Sequence, residues 1–475
     1  MSRAVTGAET GTGMGAVAGL GGRGVGMSRA VTGAGAGTGM GAVAGLGGRG
    51  AGMSRAVTGA ETGTGMGAVA GLGGRGARMS RAVTSTGAGI GLGGRGARMS
   101  WAVTGMGAVA GLGGDVDELF RNLCAGRSGV AELRGFDHSR HTARHAYEVD
   151  NRPAPGVDVT RRATGLLLDA VGQAVRDAGL DDSDLSGVPV LVGTGLRELR
   201  SVELWRTQGA EFPASELHFG TALREAFRAD DTHTLSNACS AGLYALALGV
   251  DLLAQGADTV VVAGVDVLTE TMYGLLERVQ PVPPTRVRPF DRDRDGVLMG
   301  EGAAAVVLTR VPGGRPVHGL VRDVAVNCDA FHVTAPDPAG IAEAIREAHT
   351  RGGVKPADID LLMVHGTGTL LNDEAEATAL ADVFGPDRDK PLVTATKSMT
   401  GHTSGASGLL NLVVTLRCLA EGRVPPTVGL DDPVDEAAGF RFVTGEAAHR
   451  PLTVAQLNAF GFGGINAVAI LEAAR

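Results

Sequence analysis

Cysteine, aromatic residues and long apolar runs are all scarce in this chain, and each shortage excludes a class of protein. The four cysteines, Cys124, Cys239, Cys328 and Cys418, are widely spaced with no CxxC pair, so neither a disulfide framework nor a zinc site is indicated. No segment approaches the roughly 18 consecutive apolar residues of a membrane span. Aromatic residues make up 4% of the chain, and residues 1–98 contain none. The same 98 residues hold only two acids, Glu9 and Glu61, against ten arginines, a balance of +8 that leaves −16 for the remainder of a chain with formal charge −8. With no aromatic residue interleaved among those arginines, nucleic-acid recognition is not expected. A targeting leader is not expected either, because a continuous apolar core and an amphipathic pattern are both missing. A cytoplasmic protein is expected.

What fills residues 1–98 is glycine, alanine, valine and threonine in a 26-residue repeat. It begins at Met1, recurs at Met27 and Met53, and returns shortened at Met79. A solenoid would need large apolar residues at fixed positions. Here Leu20, Leu46 and Leu72 offer too little burial against a high backbone entropy, so the repeats read as disordered. The unit from Met99 runs on into ordinary globular sequence, which makes Met99 a candidate natural start beside Met1.

From Met99 strands and helices alternate. A strand over 102–113 and a helix ending at Gly179 lead to buried strands around Val190 and Val260; after Pro312 the order begins again. Both halves place a strand, a small-residue loop carrying a reactive group, and an apolar helix in the same sequence. The pattern predicts an α/β fold of two duplicated halves, 99–312 and 313–475, with a site between them.

Cys239, in SNACSAGLYALALG, stands at a predicted helix N-terminus, where unpaired N–H groups favour a thiolate. A buried core cysteine is the plainer reading. Three later loops supply partners for it: VHGTGTLLNDEAE with His365, Thr367, Thr369, Asp373 and Glu376; KSMTGH with Lys397 and His402; and FGFGG with Gly461, Phe462 and Gly463. Two histidines opening Gly/Thr/Ser loops are harder to explain by packing than one. Glycines flanking Phe462 suggest a backbone that approaches a ligand closely.

Those four motifs, in that order and spacing, resemble the elongating β-ketoacyl-[acyl-carrier-protein] synthases, with synthase II and type II polyketide ketosynthases as the nearest types. The resemblance covers essentially all of 99–475, including RPFDRDRDGVLMGEGAAAVVL at 288–308. It implies the thiolase-like fold, five αβαβα layers, as a homodimer or a heterodimer with a related subunit, and no cofactor or metal.

Carried over, Cys239 takes an acyl chain from the phosphopantetheine arm of an acyl carrier protein. His365 and His402 bind the malonyl thioester and stabilise its enolate, Lys397 supports the second histidine, and Thr367 and Thr369 bond the pantetheine. The N–H groups of Cys239 and Phe462 form the oxyanion hole, with Phe462 as gate.

Two departures stand out. Asn411 occupies a position nine residues after His402 where the family has glutamate, leaving Lys397 without that charge partner, and Leu370 replaces a proline. Rival readings are a non-catalytic chain-length partner, which Cys239 opposes; a degradative thiolase, which would need a late second cysteine; a condensing enzyme that only transfers acyl groups onto an amine or alcohol, which Asn411 keeps open; and a pure binding module.

Overall fold

The computed structural model describes residues 99–474 apart from Pro155 and Pro281. The repeats of 1–98, read above as disordered, lie outside the described residues.

Eleven strands form one sheet: β1 Trp101–Ala110, β2 Val190–Gly193, β3 Thr232–Leu235, β4 Thr259–Asp266, β5 Gly302–Thr309, β6 Gly319–Cys328, β7 Leu361–Met363, β8 Leu392–Thr394, β9 Arg441–Phe442, β10 Val454–Gly461 and β11 Ile465–Glu472. Their spatial order is β9-β8-β7-β10-β11-β6-β1-β5-β4-β2-β3. Duplication is written into the pairing. In the first half β1 pairs antiparallel with β5, β5 antiparallel with β4, and β4 and β2 run parallel out to β3. In the second, β6 pairs antiparallel with β11, β11 antiparallel with β10, and β10 and β7 run parallel out to β8. An antiparallel contact of Trp101–Val103 with Gly319–Val321 joins the two halves.

Five helices build the layers: α1 Arg162–Asp177, α2 Ala241–Ala254, α3 Pro338–Gly352, α4 Leu370–Phe384 and α5 Ser407–Glu421. Helices α2 and α5 share one core with the inner faces of both half-sheets, through residues such as Leu243, Leu246, Leu409, Val262, Leu308 and Leu457. Such all-round burial matches their nearly uniform apolar sequence. The outer face of the first half packs on α1, whose Leu167, Val171 and Val175 meet Val190, Val261 and Val307. The second half packs on α3 and α4 through Ile341, Ile345, Leu380, Leu362 and Val468. The succession α1, half-sheet, α2 with α5, half-sheet, α3 with α4 is the five-layered αβαβα architecture expected of the thiolase-like fold. Among the described residues no helix is long and apolar enough to cross a membrane.

Cys239 follows β3 and precedes α2, and His402 follows β8 and precedes α5, so the two occupy equivalent places in the two repeats. His365 follows β7, as Thr194 follows β2. All four sit beyond the carboxyl ends of parallel strands, where α/β sheets bind ligands.

Candidate active site

Cys239 is the middle residue of a short 3-10 turn, Ala238–Ser240, that leads into α2. Its neighbour Ala238 holds φ at +55°, a left-handed backbone that costs a residue with a side chain of order 1 kcal/mol or more. The turn is anchored across the molecule: Ser240 Oγ donates to the carbonyl of Ile465 at 2.7 Å. Gly461 has to be glycine for this approach, because a Cβ there would lie 2.9 Å from Ser240 Oγ and 3.3 Å from the Cys239 nitrogen. Around the sulfur converge the N–H groups of Cys239 and Phe462 and the charge of Lys397, all favouring the thiolate. The half-buried thiol is nevertheless pushed up to about 11, because desolvation outweighs them and the carboxylate of Asp266 adds to it. This corrects the expectation drawn from the helix terminus: the resting group is the thiol.

The His365 loop is held by two buried carboxylates. Glu376, in the second turn of α4, accepts from the N–H of His365 at 2.7 Å and of Gly366 at 2.8 Å, and from Asn458 Nδ2 at 2.9 Å. Asp373 accepts from the N–H of Thr367 at 3.0 Å, of Gly368 at 3.1 Å and of Phe290 at 2.7 Å. Burial raises both carboxyls above their ordinary range, while these donors pull the other way. Thr369 caps α4, accepting from Asn372 N at 3.3 Å, and its hydroxyl lies 2.9 Å from that of Thr367. Leu370 opens α4 exposed to solvent.

Lys397 stands against the first histidine, not the second. Its Nζ lies 3.3 Å from His365 Nδ1 and donates to the carbonyl of His365. Among the described residues it forms no ion pair; burial lowers it to about 8, with the more distant Glu376 and Cys239 opposing the fall. Asn411 does not reach it either: Asn411 Oδ1 accepts from Thr396 Oγ1 at 2.5 Å, and both side chains line a small cavity beside Lys397.

His402 is fixed through its backbone, donating to Leu298 O at 2.8 Å and accepting from Gly300 N at 3.0 Å. Its Nδ1 lies 3.0 Å from Ser407 Oγ, which is also 3.0 Å from Thr403 Oγ1. Its Nε2 is buried with no hydrogen-bond partner among the described residues. The His365 and His402 rings meet edge to face, centroids 5.5 Å apart. Burial, reinforced by the Lys397 charge, holds both imidazoles well below their ordinary range, so both are neutral at neutral pH. A neutral ring with an unused nitrogen can donate to or accept from a ligand group, according to its tautomer.

Phe462 projects into solvent at the tip between β10 and β11. Gly463 at φ +86° donates its N–H to Val333 O at 2.8 Å, tying that tip to the loop after β6. Sequence reasoning missed Ser407, which bonds His402; Asn458, which bonds Glu376; and Asp266, which bonds Gly405 in the turn after His402. Only Asp266 left a trace: a lone carboxylate closing the β-branched run of β4.

Residues 100–312 match the family model for the beta-ketoacyl synthase N-terminal domain, and 318–431 the model for its C-terminal domain. Among curated relatives, a 3-oxoacyl-[acyl-carrier-protein] synthase 2 of Synechocystis is 31% identical over 389 residues, covering 74% of this chain and 92% of the relative. A synthase of the same name from Coxiella burnetii is 29% identical, covering 75% and 94%. The solved structure titled the ishigamide ketosynthase/chain length factor superposes with a TM-score of 0.73 at 31% identity, covering 80% of this chain and all of that one. The chain belongs to the beta-ketoacyl synthase family.

Proposed function

We propose that this chain is the condensing enzyme of a fatty-acid or polyketide pathway, with 99–312 supplying the nucleophile and 313–475 the two histidines. The carrying observation is the pair of neutral, edge-to-face imidazoles, one with a buried and unused Nε2, under the charge of Lys397, which also acts on Cys239.

In the first half-reaction the Cys239 sulfur attacks an acyl thioester on a carrier protein. The sulfur–carbonyl bond forms, the pantetheine sulfur departs, and the thiol proton goes with it. The N–H groups of Cys239 and Phe462 receive the carbonyl oxygen as it gains charge. In the second, a malonyl thioester binds with its carbonyl oxygen on His365 and His402. Lys397, while protonated, donates to His365 Nδ1, which places the ring proton on Nε2 facing the substrate. Carbon dioxide leaves with the carboxylate's charge moving onto that oxygen as an enolate. The enolate carbon then attacks the acyl-Cys239 carbonyl, and the Cys239 thiolate departs and is reprotonated from solvent. A thiol this hard to ionise gains from the Lys397 charge at the moment of departure.

Thr367 and Thr369 are proposed to bond the pantetheine and Phe462 to gate its entry. The relatives' names support an acyl carrier protein as partner, and the ketosynthase/chain length factor title supports pairing with a related subunit. A cytoplasmic location is part of the same reading. Acyl transfer without decarboxylation is the second reading, favoured by Asn411 standing apart from Lys397. Incubation with acyl- and malonyl-carrier separates the two: a mass shift on Cys239 together with carbon dioxide and a β-ketoacyl product supports condensation, while loading with no carbon dioxide overturns it in favour of transfer.

A further inference from the structure

The last residue of β4, Asp266, is buried, and every partner it has among the described residues is a neutral donor. Its Oδ1 accepts from Thr194 Oγ1 at 2.8 Å and from the N–H of Leu196 at 2.8 Å. Its Oδ2 accepts from the N–H of Gly195 at 2.7 Å and from the N–H of Gly405 at 2.7 Å. One oxygen atom therefore bridges two loops more than two hundred residues apart in sequence. The first loop follows β2 and runs into the helix Leu199–Gln208. The second is the 3-10 turn Ser404–Ala406 between His402 and Ser407.

The two loops interlock at contact. A Cβ on Gly405 would lie 2.6 Å from Gly195 N, and a Cβ on Gly195 would lie 2.2 Å from Ser404 Oγ. Ser404 itself is held at φ +47°. Because Leu298 and Gly300 fix the backbone of His402, the placement of Gly405 decides where the chain re-enters α5 at Ser407. Ser407 Oγ is the partner of His402 Nδ1.

We infer that Asp266 is a positioning residue that clamps the loop after β2 to the turn after His402 and so sets the orientation in which His402 presents Nε2. The inference rests on the condensing reading above. Its chemistry is specific to a carboxylate. Three of the four donors are backbone N–H groups that cannot reverse, so an amide, with one oxygen in place of two, loses either Leu196 or the pair Gly195 and Gly405, while the Thr194 hydroxyl can turn to accept. The charge also has a reporter, since the Asp266 carboxylate opposes ionisation of Cys239.

The test uses the full chain with Asp266→Asn and Ser407→Ala. For Asp266→Asn, kcat for malonyl-carrier decarboxylation is expected to fall about tenfold or more, equivalent to about 1.4 kcal/mol of barrier, with KM little changed. The pH profile for alkylation of Cys239 by iodoacetamide is expected to move to lower pH, because the Asp266 charge that opposes its ionisation is gone. Ser407→Ala, which cuts only the last link, is expected to lose decarboxylation to a similar extent with the alkylation profile unmoved. Decarboxylation within twofold of wild type in either variant overturns the clamp. So does a parallel fall of loading and decarboxylation in Asp266→Asn with no movement of the alkylation profile. If Asp266→Asn does not fold, Ser407→Ala decides by the same twofold criterion. A wild-type chain that releases no carbon dioxide overturns the condensing reading instead; faster amide hydrogen exchange at Gly195 or Gly405 in Asp266→Asn then supports the clamp, and unchanged exchange at both overturns it.

Discussion

Lys397 Nζ lies 3.3 Å from Nδ1 of His365, and the same ammonium donates to that residue's carbonyl. The lysine that the motif places five residues before His402 in sequence thus serves the other histidine in space. Its ammonium is lowered to about 8 by burial. While charged it can only donate, which makes His365 Nδ1 the acceptor; once neutral it no longer dictates the ring's proton.

Malonyl decarboxylation is therefore expected to decline as pH rises through about 8, as Lys397 loses its proton. Acyl loading, which does not use that proton, should keep rising as Cys239 approaches its own ionisation near 11. Single-turnover carbon dioxide release and acyl loading, each measured from pH 6 to about 9.5, check the opposite slopes.

Asn411→Glu brings a carboxylate into the cavity shared with Lys397. An anion there favours the charged lysine, so the alkaline decline of decarboxylation is expected to move up by about one pH unit, with loading unchanged within twofold. Equal effects on both half-reactions, or none on either, would refute the coupling between position 411 and the histidine pair.

Cys239→Ala is expected to abolish loading while the melting temperature changes by only a few degrees, because a small side chain replaces a small one at a half-buried position. Cys239→Gln, shaped like the acylated side chain, is expected to keep decarboxylating malonyl-carrier. Covalent acyl-enzyme in Cys239→Ala, read by intact mass, removes the nucleophile assignment.

Glu376→Gln keeps one oxygen acceptor and turns an NH2 either towards the N–H of His365 and Asn458 Nδ2, which share Oε1, or towards the N–H of Gly366 on Oε2. The loop loses an acceptor, at a cost of about 1–3 kcal/mol in a buried site. Lys397 loses the largest charge that keeps it protonated. A lower melting temperature is expected, together with an alkaline limb of decarboxylation shifted below that of wild type.

Removal of residues 1–98 is expected to leave both melting temperature and activity unchanged. The repeats carry no core-forming side chains, and all the site residues lie beyond Met99. A large loss of either, by calorimetry or by condensation assay, contradicts this.

The sequence by itself determined the duplicated α/β order, the apolar central helices and the residue types at the site. Strand-to-loop-to-helix punctuation is local, and the period of VDLLAQGADTVVVAGVD distinguishes helix from strand without knowing any partner. The loops bearing Cys239, His365 and His402 were readable for the same reason. Tertiary structure alone decided which groups meet and how they ionise. The family resemblance put Lys397 with His402, whereas the packing of β7 beside β8 puts it on His365. A helix terminus argued for a thiolate, whereas the desolvation of Cys239 depends on both halves closing around it. Asp266 shows the limit most plainly. Nothing near it in the chain predicts a bridge from Gly195 to Gly405, because hydrogen bonds between distant loops are fixed only when the two half-sheets bring their carboxyl ends together.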